Sequence, residues 1–442
     1  MIKQIVFLIS LLITFGIFTF TTIRLIAYFK LTRPAPVDNI GERLKIMMKV
    51  AFGQSKILRK PVIGLMHALV FWGFLVILLG SIEMLIDGLF GLERSLHFLG
   101  FFYNILTAFG DVFALIILIA VAAFLFRRVF MHISRFEGSE MKHWSHVDAN
   151  IALGLILFLM ISLLGMNTFY ILYAGKAGHI VYGSFPVSSV LAGWFFNWPV
   201  EKLYLMHEVS WWAHILSIFF FANYLPYSKH FHVFLSVPGA FLSKTSPLAK
   251  IQVMDSVLKE VKIMLDPELA YEEPAGEEEV ERFGVLDVQD VSWMNYFDSL
   301  SCTQCGRCTS VCPANITGKK LSPRKLMMDL RARMNEKGPG MVKNGKDFSD
   351  NKSYLRDYIS EEEIWACTLC NACACECPIN IDQPSLIIQM RRYLVMEESS
   401  APGELNTIFT NIENNGAPWQ FSQEDRMIWA EDLFVNQSGN VN

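Results

Sequence analysis

Long apolar stretches in the first half of the chain constrain its fold more than any other feature. They lie at roughly 5–29, 62–90, 101–127, 150–173 and 205–228, and each reaches the ~20 residues that a helix needs to cross a bilayer. The chain is 52% hydrophobic, and the apolar excess lies before about residue 240. The first stretch is too long for the core of a signal peptide and lacks a small-residue cleavage site. The sequence therefore predicts a mainly α-helical protein that begins with a five-helix transmembrane bundle.

Basic residues mark the loops that are expected on the cytoplasmic side of the membrane. Segment 30–60 carries eight Lys and Arg residues, and Arg127, Arg128 and Arg135 follow the third stretch. The loop around 83–97 is mainly acidic. The positive-inside rule then places the N-terminus outside and residues 230–442 in the cytoplasm of a multi-pass protein of the inner membrane. A net charge of -4 gives no indication of nucleic-acid binding.

All nine cysteines lie in two similar runs, CTQCGRCTSVCP at 302–313 and CTLCNACACECP at 367–378. Both runs contain C-x2-C-x2-C-x3-C-P, the pattern of paired [4Fe–4S] clusters in which the fourth cysteine of each run binds the other cluster. One cluster is expected to bind Cys302, Cys305, Cys308 and Cys377, and the other Cys367, Cys370, Cys373 and Cys312. Zinc ribbons use separate two-cysteine knuckles instead. Cys375 is then left over, and we interpret it as a small buried thiol that packs near the cluster, with a redox or ligand-exchange role as the alternative.

Three histidines near the ends of the apolar stretches predict haem b. His67 begins the second stretch, while His214 and His232 are 18 residues apart at the fifth. On one helix they would share a face about 27 Å apart, which suits two stacked haems. His67 and His232 are expected on the inner side as ligands of one haem, with Gly73 leaving room for the ring. The alternative is that they are interfacial polar residues. Asp111, inside the third stretch, is either a functional carboxylate or a hydrogen-bonded acid at a helix crossing.

The segments HALVFWGF (67–74) and HILSIFFFANYLPYSKHFHVFLSVP (214–238) resemble the haem-b gamma subunit of respiratory nitrate reductases. The resemblance covers about 60–240 and implies that His67 and His232 bind the inner haem and His214 the outer one. The gamma subunit has a second histidine ten residues after the first on helix two, where this chain has Ile77. The outer haem therefore lacks its expected partner, and His97 and His207 are the candidates. Otherwise that haem is absent.

The cysteine runs and their flanking sequences are similar to the iron–sulfur part of heterodisulfide reductase-like membrane oxidoreductases, over about 280–430. In many of those proteins the polypeptide continues into a domain with two CCG motifs, and this chain has no CCG motif. The resemblance implies a separate cytoplasmic CCG subunit as partner. It also suggests electron-transfer flavoprotein as a source of electrons and menaquinone as the membrane substrate.

The expected domains are a first helix with a basic loop (1–60), a nitrate reductase gamma-like cytochrome b domain (61–240), an amphipathic and acidic linker (241–285), a ferredoxin-like 4Fe–4S dicluster domain (286–400) and a tail for partner docking (401–442). No nucleophile, acid–base pair or nucleotide loop is visible, so the sequence predicts an electron-transfer subunit without its own substrate-chemistry site. Two alternatives stay open. One is a redox-sensing membrane scaffold, and the other is the same cofactors serving heterodisulfide or thiol reduction.

Overall fold

Long helices dominate the first half of the protein in a computed structural model, which describes residues 2–268 and 282–430. The α-helices of this half are α1 (Ile2–Leu31), α2 (Ile40–Met47), α3 (Pro61–Phe90), α4 (Phe101–Phe130), α5 (His143–Ala177), α6 (Pro186–Ala192), α7 (Val200–Tyr224), α8 (His232–Phe241) and α9 (Asp255–Leu265). Of the described helices, four are long and apolar enough to cross a membrane, namely α1, α3, α4 and α5. The protein is therefore a membrane protein with four candidate spans.

The fifth predicted span is α7, a helix of 25 residues that is not among these four. Its first half carries Glu201, Lys202, His207 and Glu208, which makes it more polar than the others. It nevertheless packs along α5, so it belongs to the bundle. The five-helix transmembrane bundle is thus shown only in part.

The prediction that His214 and His232 share one helix face is wrong. α7 ends at Tyr224, and two short 3₁₀ turns, Leu225–Tyr227 and Lys229–Phe231, precede α8. Pro226 has no backbone N–H to continue the helix, and Ser228 between the turns is extended (φ -89°, ψ 158°). The chain therefore turns before His232, which begins α8 rather than continuing α7.

α5 lies at the centre of the bundle, where it packs against α4, α6 and α7, while α3 packs on α4 and α1 closes the side against α3 and α7. The core between these helices is apolar, with Ala114 and Ile215 fully buried and Leu164 nearly so. α3 begins with Pro61 in its first turn, and it ends at Gly91, whose φ of +68° is left-handed. Fully buried apolar packing of this kind fixes the relative positions of the helix ends that carry the predicted haem ligands.

Short helices and loops form the cysteine half, and its described residues contain no strand of a sheet. Its helices are α10 (Trp293–Ser301), α11 (Arg307–Ser310), α12 (Pro313–Ile316), α13 (Pro323–Asn344), α14 (Glu361–Trp365), α15 (Ala372–Glu376), α16 (Gln383–Arg392) and α17 (Gly403–Asn415). α13 is the longest, and its apolar side supplies Leu326, Leu330 and Met334 to the core. Residues 269–281 of the predicted amphipathic and acidic linker (241–285) lie outside the described residues.

The two halves share one core. Tyr28 and Leu31 at the end of α1 pack with α13, and the ring of Tyr28 lies where a Cβ on Gly338 would stand, 2.9 Å from that position. Leu225 and Phe231, in the turns after α7, join the same cluster. The cysteine half is therefore packed directly on the end of the bundle where α1 ends and α8 begins.

Candidate functional site

The two cysteine runs fold into matching loops. In the first, Gln304 and Gly306 have left-handed φ values of 57° and 74°, and in the second Leu369 and Asn371 have 54° and 60°. These pairs occupy equivalent positions between the first three cysteines of each run. Left-handed backbone costs free energy for residues other than glycine, and at Leu369 most of all. A conformation repeated at equivalent positions in both runs indicates that each loop is shaped to turn its sulfurs toward one centre.

The first group of sulfurs comes from both runs. Burial, and then the charges of Cys302, Cys305 and Cys377, raise the pKa of the Cys308 thiol well above its usual value, with a smaller effect from Cys373. Burial and Cys305 likewise raise the pKa of Cys377 to about 12. Cys377 therefore lies near the first three cysteines of the other run, and its role as a ligand of their cluster stays a prediction.

The second group is complementary. Burial, followed by Cys367, Cys312 and Cys370, raises the pKa of Cys373 to about 12. The same four cysteines line a small cavity together with Pro313 and Pro384. Thiols with pKa values this high stay protonated at neutral pH unless a cation replaces the protons. No described His, Cys, Asp or Glu side chains are gathered closely enough to hold a single metal ion.

Cys375 is exposed, so its interpretation as a buried thiol is wrong. It lies on α15 between two predicted ligands, Cys373 and Cys377, and both of these neighbours are buried. Its backbone carbonyl accepts a hydrogen bond of 3.2 Å from Arg59. The exposed thiol of Cys375 is thus distinguished from the ligands beside it by its accessibility to solvent.

Basic side chains connect the first group to the bundle. Lys56 Nζ donates to the carbonyl oxygens of Cys377 (3.1 Å) and Ala374 (3.2 Å), and Arg307 donates to the carbonyl of Lys56 (3.2 Å). Gly306, with φ +74°, lets the first loop approach the loop after α4, because a Cβ there would stand 2.4 Å from the Arg135 carbonyl oxygen. The first group therefore faces the membrane half.

Two inner-end histidines, His67 and His232, lie near each other, and their role as haem ligands stays a prediction. Burial, and then the neighbouring His230 and His67, lower the pKa of His232 to about 3, which keeps its imidazole neutral. His67 Nδ1 is buried and has no hydrogen-bond partner among the described residues. A buried, unsatisfied ring nitrogen is costly, and iron ligation is one way to satisfy the ring. The expectation that Gly73 leaves room for the haem is not met. Gly73 packs against Phe113 of α4, so this side chain has to move before a haem can lie there.

At the other end of the bundle, His214 and His97 are not brought together. His214 is buried and its Nδ1 lies 3.0 Å from both the Leu159 carbonyl and Ser162 Oγ. His97 is exposed and its ring stacks on Tyr182 with centroids 4.2 Å apart. His207 does share a cavity with His214, and Ile77 also lines that cavity. The roles of His97 and His214 as haem ligands remain predictions, and the surroundings of the two side chains do not support a haem held between them.

Asp111 has a structural explanation. Its carboxylate accepts hydrogen bonds from the backbone N–H groups of Val187 (2.8 Å) and Ser188 (2.9 Å), and from the Ser188 hydroxyl (2.5 Å). Asn167 adds a longer bond of 3.3 Å from α5. Asp111 therefore ties the start of α6 to α4 and α5, which agrees with the hydrogen-bonded acid at a helix crossing.

Comparisons with known proteins agree with the cysteine geometry. Residues 301–381 match a 4Fe-4S dicluster domain. The chain is 28% identical to the "Probable iron-sulfur-binding oxidoreductase FadF" of Bacillus subtilis, over 92% of this chain and 58% of that protein. It is 29% identical to the EtfAB:quinone oxidoreductase of Syntrophomonas wolfei, over 91% of this chain and 56% of the relative. The chain thus spans less than two thirds of the length of either relative.

A third relative matches the cysteine half. It is a dihydromethanophenazine:CoB–CoM heterodisulfide reductase subunit of Methanosarcina acetivorans, 25% identical over 35% of this chain and 39% of the relative. No solved structure matches the chain. The cysteine runs, the dicluster match and these relatives agree with the resemblance of the chain to heterodisulfide reductase-like iron–sulfur oxidoreductases.

Proposed function

We propose that the protein is an electron-transfer subunit that relays electrons between a cytoplasmic partner and a membrane quinone. Two [4Fe–4S] clusters and a haem b supply the one-electron redox chemistry, and the protein sets their positions and potentials. The observation that supports the proposal is the nearness of the two cysteine runs, with Cys377 beside the first three cysteines of the first run and Cys312 beside those of the second. The residues that would hold the haem are His67 and His232.

The geometry gives an order to the cofactors. The second group includes Cys370, which is exposed, whereas the first is covered by Lys56 and by the loop after α4. A partner would approach the second cluster, held by Cys367, Cys370, Cys373 and Cys312, and the first cluster would lie on the side of the membrane half. Electrons would then pass between the partner, the second cluster, the first cluster, the haem and the quinone in that order, or in reverse.

Hydrogen bonds to the sulfurs support this role. The backbone N–H groups of Leu369 and Ile381 lie 3.4 Å from the sulfurs of Cys367 and Cys377. Arg391 donates to the Cys367 carbonyl (2.6 Å) beside the second group. Such donors and cations stabilise the reduced, more negative state of a cluster and so raise its potential. Each group has at least one cation beside it, which suits a cluster that accepts and releases electrons.

The proposed partner is a cytoplasmic subunit with CCG motifs, because the resemblance of the cysteine runs to heterodisulfide reductase-like oxidoreductases implies such a partner. The orientation with the cysteine half in the cytoplasm follows from the basic loops. Oxidation of electron-transfer flavoprotein is the favoured overall reaction, since the name of one relative that aligns with most of this chain includes EtfAB and quinone. Heterodisulfide reduction is the second candidate, supported by the relative that aligns with the cysteine half.

Haem content tests the central step. We expect His67→Ala and His232→Ala each to lose the reduced α-band of haem b in purified protein, while His143→Ala, an exposed histidine on the same side, keeps it. Iron–sulfur content should be unchanged in all three. Full haem content in both inner-histidine variants would show that these residues are not ligands. A parent protein without haem would favour the redox-sensing scaffold.

Turnover tests the role of the partner. The isolated chain should reduce its clusters with dithionite but show no turnover with a physiological donor and a quinone, and addition of the CCG subunit should restore it. Complete turnover by the isolated chain would contradict the proposal that it only carries electrons.

A further inference from the structure

A cavity of about 340 Å³ lies at the end of the bundle remote from the cysteines, between α1, α3, α4, α5 and α7. The resemblance to the nitrate reductase gamma subunit puts an outer haem in this region. The cavity wall, however, contains Ile77 where the second ligand is expected. Its occupant therefore has to be argued from the residues that are present.

Two imidazoles face the cavity from the same wall. His207 Nδ1 lies 3.1 Å from the Met166 carbonyl oxygen, and His214 Nδ1 lies 3.0 Å from the Leu159 carbonyl oxygen. In a neutral ring whose Nδ1 donates to a carbonyl, Nε2 is left as an acceptor. The two residues are two turns apart on α7, so they approach the cavity from one side. They cannot bind opposite faces of one haem iron.

The charge of the lining also disfavours haem. Five acidic residues and two basic residues line the cavity, namely Glu83, Asp87, Glu93, Asp111, Glu208, Lys3 and Arg94. Arg94 is already engaged, since its guanidinium donates to Asn167 (2.9 Å) and lies 4.5 Å from the centroid of the Tyr170 ring. A haem brings two propionates, which need uncommitted cations or donors at low dielectric. The acidic side chains of the lining do not repel a neutral ligand as they repel the propionates.

We infer that this cavity binds the headgroup of the quinone or quinol, and that the protein carries haem only at the inner site. The inference rests on the proposed function, because the quinone exchanges electrons with the inner haem. Ile77 is ten residues from His67 along α3, which corresponds to about 15 Å of helix. The cavity and the inner histidines are thus separate sites, and α3 is the helix that contributes to both.

Side chains that line the cavity can accept and donate the protons of the quinone reaction. Oxidation of a quinol releases two electrons and two protons, and both O–H bonds of the quinol break. The inner haem, which His67 and His232 would hold, would accept the electrons one at a time. The Nε2 acceptors of His207 and His214 take up the protons, and the carboxylates toward the mouth, Glu93 and Glu208 among them, pass the protons to the solvent. Quinone reduction uses the same groups with protons and electrons moving the opposite way.

Two glycines allow the cavity to be filled without disturbing the backbone. Gly80 on α3 and Gly110 on α4 both line it, and a Cβ on either meets nothing within 4 Å. Gly154 on α5 also has open space around a Cβ but does not line the cavity. Gly80→Leu and Gly110→Leu therefore test the cavity, and Gly154→Leu is the matched control. Each replaces a helical glycine by a better helix former.

The experiment measures haem per chain and the affinity for menadione, the naphthoquinone used as probe, in the purified full chain. We expect one haem per chain in every protein, together with at least about tenfold weaker menadione binding in Gly80→Leu and Gly110→Leu than in Gly154→Leu. Two haems in the parent, with one lost on filling the cavity, would show that haem is the occupant. Menadione affinity that is equal in all variants would place the quinone elsewhere. Both results overturn this inference and leave the proposed function standing, whereas a parent without haem would overturn the proposed function itself.

Discussion

A buried ion pair clasps the cysteine half onto the membrane half, and its removal gives the sharpest test of the architecture. Glu140, in the loop between α4 and α5, accepts hydrogen bonds from Arg324 Nε (3.0 Å) and Nη2 (2.7 Å) and from the Ser322 hydroxyl (2.7 Å). The side chains of Arg324 and Glu140 are only 1% and 6% exposed. Arg324 also donates to the Arg135 carbonyl (2.7 Å), so it holds this loop at two points.

Removal of one partner from a buried pair costs about 3–5 kcal/mol, because the other charge stays buried without compensation. Since each 1.4 kcal/mol is tenfold, local opening of the loop should become roughly a hundred to a few thousand times more frequent. All three hydrogen bonds end on one carboxylate oxygen, Oε1, which glutamine can still provide. Glu140→Gln should therefore fall at the lower end of this range and Glu140→Ala at the upper end.

Hydrogen exchange of residues 132–142 in the purified full chain, followed by mass spectrometry, measures this opening directly. Glu137→Gln is the control, because Glu137 lies in the same loop and its pair with His132 is exposed, 57% and 74%. An exposed pair contributes no more than about 1 kcal/mol, so the control should change exchange less than about sixfold. Equal exchange in Glu140→Gln and Glu137→Gln would refute the clasp.

Three further predictions follow from the same contacts. Cys377→Ala should remove the cluster of the first run and spare that of its own run, so iron content should fall by about half. Cys375→Ser should keep both clusters. Loss of the cluster of the second run in Cys377→Ala, detected by electron paramagnetic resonance, would contradict the grouping. Lys56→Met should lower the midpoint potential of the first cluster alone, since it removes a cation from the Cys377 carbonyl. Burial opposes ionisation of Glu140, but hydrogen bonds from Ser322 and Arg324 hold its pKa below the ordinary 4.5. The clasp should therefore be complete above about pH 4.5 and be lost as pH falls through the lowered pKa, with no such titration in Glu140→Gln.

The sequence predicts those features that depend on local spacing. Three sulfurs within seven residues dictate a loop around one cluster, and the proline after the fourth cysteine marks where the chain leaves it, so both four-cysteine groups follow from the spacing alone. The apolar stretches of α1, α3, α4 and α5 are equally direct, because a helix long enough to cross a bilayer is visible in composition alone.

Features that depend on packing between distant segments could not be predicted. The 18-residue spacing of His214 and His232 suggests one helix face, but Pro226 and Ser228 interrupt the helix between them. Pro226 is visible in the sequence, and it was the available signal against a continuous helix. Lys56 and Glu140 look like ordinary loop charges, since nothing local indicates that each meets the cysteine half across more than 180 residues of chain.

The loops between the long helices thus have a second role beside orientation in the membrane. Lys56 and Arg59 follow α2 and donate to carbonyls of the second cysteine run, while the Arg135 carbonyl and the Glu140 carboxylate follow α4 and accept from Arg324 on α13. The cysteine half is therefore held by two different loops of the membrane half. Relative movement of the two halves would strain both loops at once, and electron transfer between cofactors depends on fixed separations. The basic residues that the positive-inside rule counts as topology signals are, in this fold, also the groups that hold the iron–sulfur site against the predicted haem site.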